Sequence, residues 1–170
     1  PFERAVWWAA FALTAAITIL TFYHGAGYFE TYWDSLILYL GYARMTFLER
    51  AFPFKAVAQV GIGLGANYPH LYPTFAATPA ALAGQWSPLG GQIGSPLAGL
   101  VSCVLAYHLA LRLTRRETAA MLATLLFRAV PLGIIYFVYA SDYSFAILFA
   151  TAFLYLAVLY IETAVPGYLV

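Results

Sequence analysis

Two stretches of this chain, Ala5 to Tyr23 and Tyr143 to Ile161, contain no charged side chain at all. Each is close to the ~20 residues an α-helix needs to cross a hydrocarbon core. Two further apolar runs, Ile93 to Leu113 and Thr118 to Tyr139, are similar in length and are each interrupted by a single arginine, Arg112 and Arg128. In lipid such segments satisfy their backbone N–H and C=O groups internally, as helices. Composition points the same way. Hydrophobic residues make up 64% of the chain and charged residues 9%, whereas water-soluble domains are about a quarter charged. The expected fold is an all-α integral membrane protein with four transmembrane helices, residues 1–170 forming one membrane region.

Several classes fall away on charge and chemistry. A formal net charge of +1 provides no field for a polyanion, so nucleic acid is not an expected partner. The single cysteine, Cys103, lies in an apolar run and excludes an intrachain disulfide or thiolate cluster. It reads as a small core residue. Haem is not expected either. His24 falls at the outer end of the first span, His108 at the inner end of the second, and His70 in the loop, so no two stand at one depth on facing helices. No small-residue cleavage site precedes Gly25, so the first span is not read as a removable leader. The chain starts at Pro1 and ends in an apolar stretch, as an N-terminal piece of a longer polytopic protein would. Membrane lipids and the remaining transmembrane helices are then its expected surroundings.

Arginines set the expected orientation. Arg112, Arg115 and Arg116 crowd the connection between the second and third spans, and Arg4 precedes the first. Basic residues near span ends prefer the cytoplasmic side. The N-terminus is therefore placed in the cytoplasm, with the segment 25–92 as a large outer loop on the periplasmic, extracellular or lumenal face. The turn Ala140–Ser141–Asp142 shares that face. Connections longer than about 15 residues are functional or disordered as a rule, and one this rich in Tyr, Trp, Phe and Leu is expected to be ordered. Its first half, Ser35 to Phe52, reads as an interfacial helix. Arg44, Glu49 and Arg50 form its polar side, and Leu38, Met45 and Leu48 its apolar side. Its second half, with Asn67, Pro69, Pro73, Pro79 and Pro88, reads as ordered turns. Pro96, at the beginning of the second span, is read as a first-turn proline.

Four features carry possible chemistry. Asp34, in Glu30–Thr31–Tyr32–Trp33–Asp34–Ser35, can ligate a divalent cation or accept a proton from a hydroxyl, or it can simply cap the helix that follows. Asp142 has the same two readings at the start of the fourth span. Tyr68–Pro69–His70–Leu71–Tyr72–Pro73 is a rigid amphipathic segment, able to hold phenols and an imidazole over a pocket or to form part of an interfacial tyrosine belt. Arg128 stands mid-span, where an ionised group marks either a function or a buried partner.

Taken in order, these pieces resemble the N-terminal part of the polytopic membrane glycosyltransferases of the GT-C fold. The likeness is to the branch of the protein mannosyltransferases and lipid A aminoarabinose transferases. It rests on Trp33–Asp34–Ser35–Leu36–Ile37–Leu38–Tyr39 after the first span, the Tyr68–Pro73 segment, the basic turn Leu111–Arg112–Leu113–Thr114–Arg115–Arg116, and the outer turn Tyr139–Asp142. The resemblance implies transfer of a sugar from a polyprenyl-phosphate carrier to a lipid or protein acceptor at the outer face. Asp34 then becomes general base or metal ligand, and Asp142 positions a divalent cation (Mg or Mn), donor phosphate or acceptor. Glu30, Arg44, Tyr68, His70 and Tyr72 become substrate-binding candidates. Many relatives carry a second acid beside the first, where this chain has Ser35. A transporter using Arg128 as a counter-ion, or an accessory membrane subunit without catalysis, is the competing expectation.

Overall fold

The computed structural model describes residues 1–27, 39–50 and 71–164, and every regular element among them is helical. The helices are α1 (Phe2–Gly27), α2 (Tyr42–Glu49), α3 (Leu71–Ala83), α4 (Leu89–Thr114), α5 (Glu117–Ala129), α6 (Pro131–Val138) and α7 (Asp142–Thr163). Three of them, α1, α4 and α7, are long and apolar enough to cross a membrane. Their outward faces stay greasy, with Leu20, Phe153 and Ile161 each more than half exposed. Exposed apolar surface on this scale suits a lipid solvent rather than water.

The faces turned inward are built from small residues. α1 buries Ala10, Thr14, Thr18, Thr21 and Gly25, a stripe at near-helical spacing along one side. Small side chains let backbones approach, which is how helices gain contact when lipid removes the hydrophobic drive between them. The threonines add no unmet donor. Thr14 donates to the carbonyl of Ala10 and Thr18 to that of Thr14, both at 2.8 Å, the usual local back-bond of a mid-helix hydroxyl.

α4 is the central helix and touches α1, α3, α5, α6 and α7. At one end of the bundle Thr118 donates to the carbonyl of Glu3, while Arg112 and Arg115 both reach Glu162. At the other end Gly25 meets α4 and the Tyr39 hydroxyl meets Asp142. The N-terminus and the arginine turn thus share one end, and the 139–142 turn lies at the other, in the antiparallel order expected from the spans.

The structure corrects three details. The third apolar run is not one straight helix: α5 and α6 meet at a bend of 67°, the geometry of a broken span or of a re-entrant loop. Pro131 is the cause, since it has no N–H and forces its predecessor out of the helical region. Val130 accordingly sits at φ −60°, ψ 125°. Pro96 is not in a first turn, because α4 starts at Leu89 and Pro96 lies inside it. The helical bond that Gln92 would receive from residue 96 is missing, and Gly25 packs at this point. A Cβ there would lie 2.9 Å from both the Gln92 carbonyl oxygen and Pro96 Cγ. Finally, 71–83 is a helix with Pro79 inside it rather than a set of turns.

α2 follows a single π-helical turn at Tyr39–Gly41. Arg44, Glu49 and Arg50 are exposed as expected, but Leu48 is 64% exposed and the buried face is Tyr39, Leu40, Tyr42 and Ala43. That face packs with Tyr72, Ala76, Ala77 and Ala140 into one cluster flanked by Trp86 and Phe145. Residues 35–38 and 51–52 of the expected helix lie outside the described residues.

Candidate functional site

The chain links α6 to α7 through Tyr139, Ala140 and Ser141, with Tyr139 and Ser141 in extended conformations. Asp142 is the first residue of α7 rather than its cap. The cap position belongs to Ser141, whose side chain makes no capping bond. A carboxylate in a first helical turn is favoured by the partial positive charge there. Half-buried, Asp142 accepts at Oδ1 a 2.5 Å hydrogen bond from the Tyr39 hydroxyl, across 103 residues of sequence.

Beneath this pair lies a buried hydroxyl network that ties α3, α4 and α7 together. Tyr72 donates to the Gly91 carbonyl and lies 3.1 Å from Ser95 Oγ. Ser95 Oγ is 3.0 Å from Ser144 Oγ and accepts from the Ser141 backbone N–H at 3.2 Å. Ser144 donates to the Ser141 carbonyl at 2.7 Å. Counting protons fixes most directions, because a hydroxyl has one to give. The Tyr72 and Ser144 protons go to carbonyls, so Ser95 alone chooses between donating to Tyr72 and donating to Ser144. Ser95, Ser144 and Tyr72 are each fully buried. The network therefore pins the 139–142 turn onto α4 and holds the Asp142 backbone in place.

The expected site residues are distributed unevenly. Asp142 stands in the pair just described. Tyr72 is turned inward, its hydroxyl committed between α3 and α4, and takes the role of a packing and positioning group. Arg44 is exposed on α2. Asp34, Glu30, Tyr68 and His70 lie outside the described residues. Among the described residues no three His, Cys, Asp or Glu side chains gather as a metal site. Asp142 brings a single carboxylate to this pair. Tyr39, Ser95, Ser141 and Ser144 were not foreseen as site residues. Their available signal was polarity out of place, namely serines at the starts of otherwise apolar spans.

Arg128 occupies a second polar position. It is completely buried in the last turn of α5, where Nη2 donates to Thr21 Oγ1 at 2.5 Å and the guanidinium lies 5.1 Å from the Phe137 ring centroid. A cation suits the carbonyl end of a helix and the face of an aromatic ring. Nε and Nη1 have no partner among the described residues. His24 and His108 stand at opposite ends of the bundle, His108 beside Arg112 and Arg115.

Comparison with protein-family models, with curated proteins and with solved structures finds no match to this chain.

Proposed function

We propose that this chain is the N-terminal membrane region of a glycosyltransferase that moves a sugar from a polyprenyl-phosphate carrier to a hydroxyl of a lipid or protein acceptor at the outer face. The observation that carries the reading is the bond between Tyr39 and Asp142. It joins the segment that begins with the Asp34 motif to the second acidic turn. A donor with an isoprenoid tail, a phosphate and a sugar presents its reacting carbon near the membrane surface, and the end of a helix bundle is the depth at which acids can meet it. Tyr39 occupies one carboxylate oxygen of Asp142 and orients the other. In the reaction the acceptor oxygen attacks the anomeric carbon, the bond to the carrier phosphate breaks, and a carboxylate takes the acceptor proton.

In the full-length protein, Asp142→Asn is expected to lower transfer from radiolabelled polyprenyl-phosphate sugars by about 100-fold or more, with membrane expression unchanged. Tyr39→Phe is expected to fall between wild type and that variant. Undiminished transfer in Asp142→Asn would remove the proposal's basis.

One feature supports a transporter instead. A span bent beside a buried arginine resembles the broken helices that line substrate pathways. Solute flux abolished by Arg128→Gln and indifferent to Asp142→Asn would select that reading.

A further inference from the structure

Two cavities share one tryptophan at the arginine-rich end of the bundle, the end opposite Asp142. The first is an apolar groove of about 890 Å³ between α1 and α4, running from Trp7 and Phe11 to Phe22 and Tyr23, with Met121 and Thr124 of α5 also lining it. The second, about 1110 Å³, is lined by Glu3, Arg4, Trp7, Trp8, Arg116 and Glu117, among others. Trp7 lines both.

The two cavities, taken together as one composite site, differ in chemistry. Along α1 the groove spans seventeen residues from Trp7 to Tyr23, or ~24 Å of helix rise, which exceeds half of the ~30 Å hydrocarbon core. An entire acyl chain therefore fits along it. At the mouth, Arg4 and Arg116 bring two cations and Glu3 and Glu117 two anions, all four exposed. The only ion pairs among the described residues use Arg112 and Arg115, so none of these four is neutralised by another. Between mouth and groove, the Trp7 ring forms the shared wall and stacks on Phe11 with centroids 5.4 Å apart.

We infer that this composite cavity holds a glycerophospholipid with a zwitterionic phosphoethanolamine head. Its phosphate lies against Arg4 and Arg116, and its ammonium against Glu3 and Glu117. One acyl chain fills the groove between α1 and α4. A purely anionic head would satisfy the arginines and repel the glutamates. A free fatty acid would fill the groove and leave the mouth unmatched. The sugar-transfer proposal concerns the other end of the bundle, so either can fail without the other.

The test is lipid retention by the intact protein. It is extracted in maltoside, mixed with equimolar dioleoyl phosphatidylethanolamine and dioleoyl phosphatidylglycerol, and examined by native mass spectrometry. Wild type is expected to retain one phospholipid, with ethanolamine preferred. The double variant Arg4→Gln/Arg116→Gln should lower retention of both lipids by at least about fivefold. Glu3→Gln/Glu117→Gln should abolish the preference while retaining phosphatidylglycerol. Ala15→Trp, which fills the groove, should lower retention of both. The arginine and glutamate substitutions are on exposed positions, so they remain informative if the tryptophan variant does not fold. Three results would overturn the inference: no lipid retained by wild type, as when another helix occupies the groove; phosphatidylglycerol retained as well as phosphatidylethanolamine; or retention unaffected by the arginine pair.

Discussion

Ser95 shows how one hydroxyl organises the region around Asp142. It sits where three polar groups converge from α3, the 139–142 turn and α7, and it has no exposed surface. Ser95→Ala would leave the Ser141 N–H without its acceptor and take a donor from Tyr72 or Ser144. An unmet buried polar group costs about 1–3 kcal/mol. The variant is therefore expected to unfold at lower temperature in a thermal assay, and to loosen the 139–142 turn more than the distant Arg112–Glu162 end in hydrogen exchange. The polarity of Ser95 in an apolar span did not specify this role, because a serine there is as compatible with a simple back-bond. Asp142 was recognisable from its place between spans. Its pairing with Tyr39 over 103 residues has no local signature.

The helices themselves were readable because their apolar runs are long. Their breaks were less so. Pro131 and Pro96 are both single prolines in hydrophobic runs, yet one bends its span by 67° and the other is carried inside a continuous helix. The difference lies in the surroundings. Gly25 of α1 covers the altered turn at Pro96 at close range, whereas Val130 takes an extended conformation before Pro131 and the chain sets off in a new direction. Gly25→Val is accordingly expected to separate α1 from α4. The atoms its side chain would meet are a backbone carbonyl and a proline ring, neither of which swings aside. Overpacking of this sort costs about 1–3 kcal/mol, and a lowered melting temperature with unchanged helical content would register it.

For the molecule as a whole, the arrangement of ends is the most consequential result. Arg4, the arginine turn and Glu162 collect at one end, Gly25, Tyr39 and Asp142 at the other. With Cys103 replaced by alanine, single cysteines at Arg116 and at Tyr143 are therefore expected to label from opposite sides of sealed vesicles with a membrane-impermeant maleimide. By the preference of basic residues for the cytoplasm, Arg116→Cys should react only from that side. Labelling of both from one side would invalidate the bundle order and, with it, the outer location proposed for Asp142.

Hydrophobic length and the scarcity of charge were enough to establish helices in lipid, their approximate positions and the shared end of the arginines, because those properties follow from each segment's own transfer between water and hydrocarbon. The bend at Val130, the conversion of the Pro73–Pro79 region into a helix, the inward turn of Tyr72 and the meeting of Tyr39 with Asp142 required the assembled bundle. They depend on which groups find partners across helices, and a buried hydroxyl or carboxylate acquires its meaning only from the atoms that reach it.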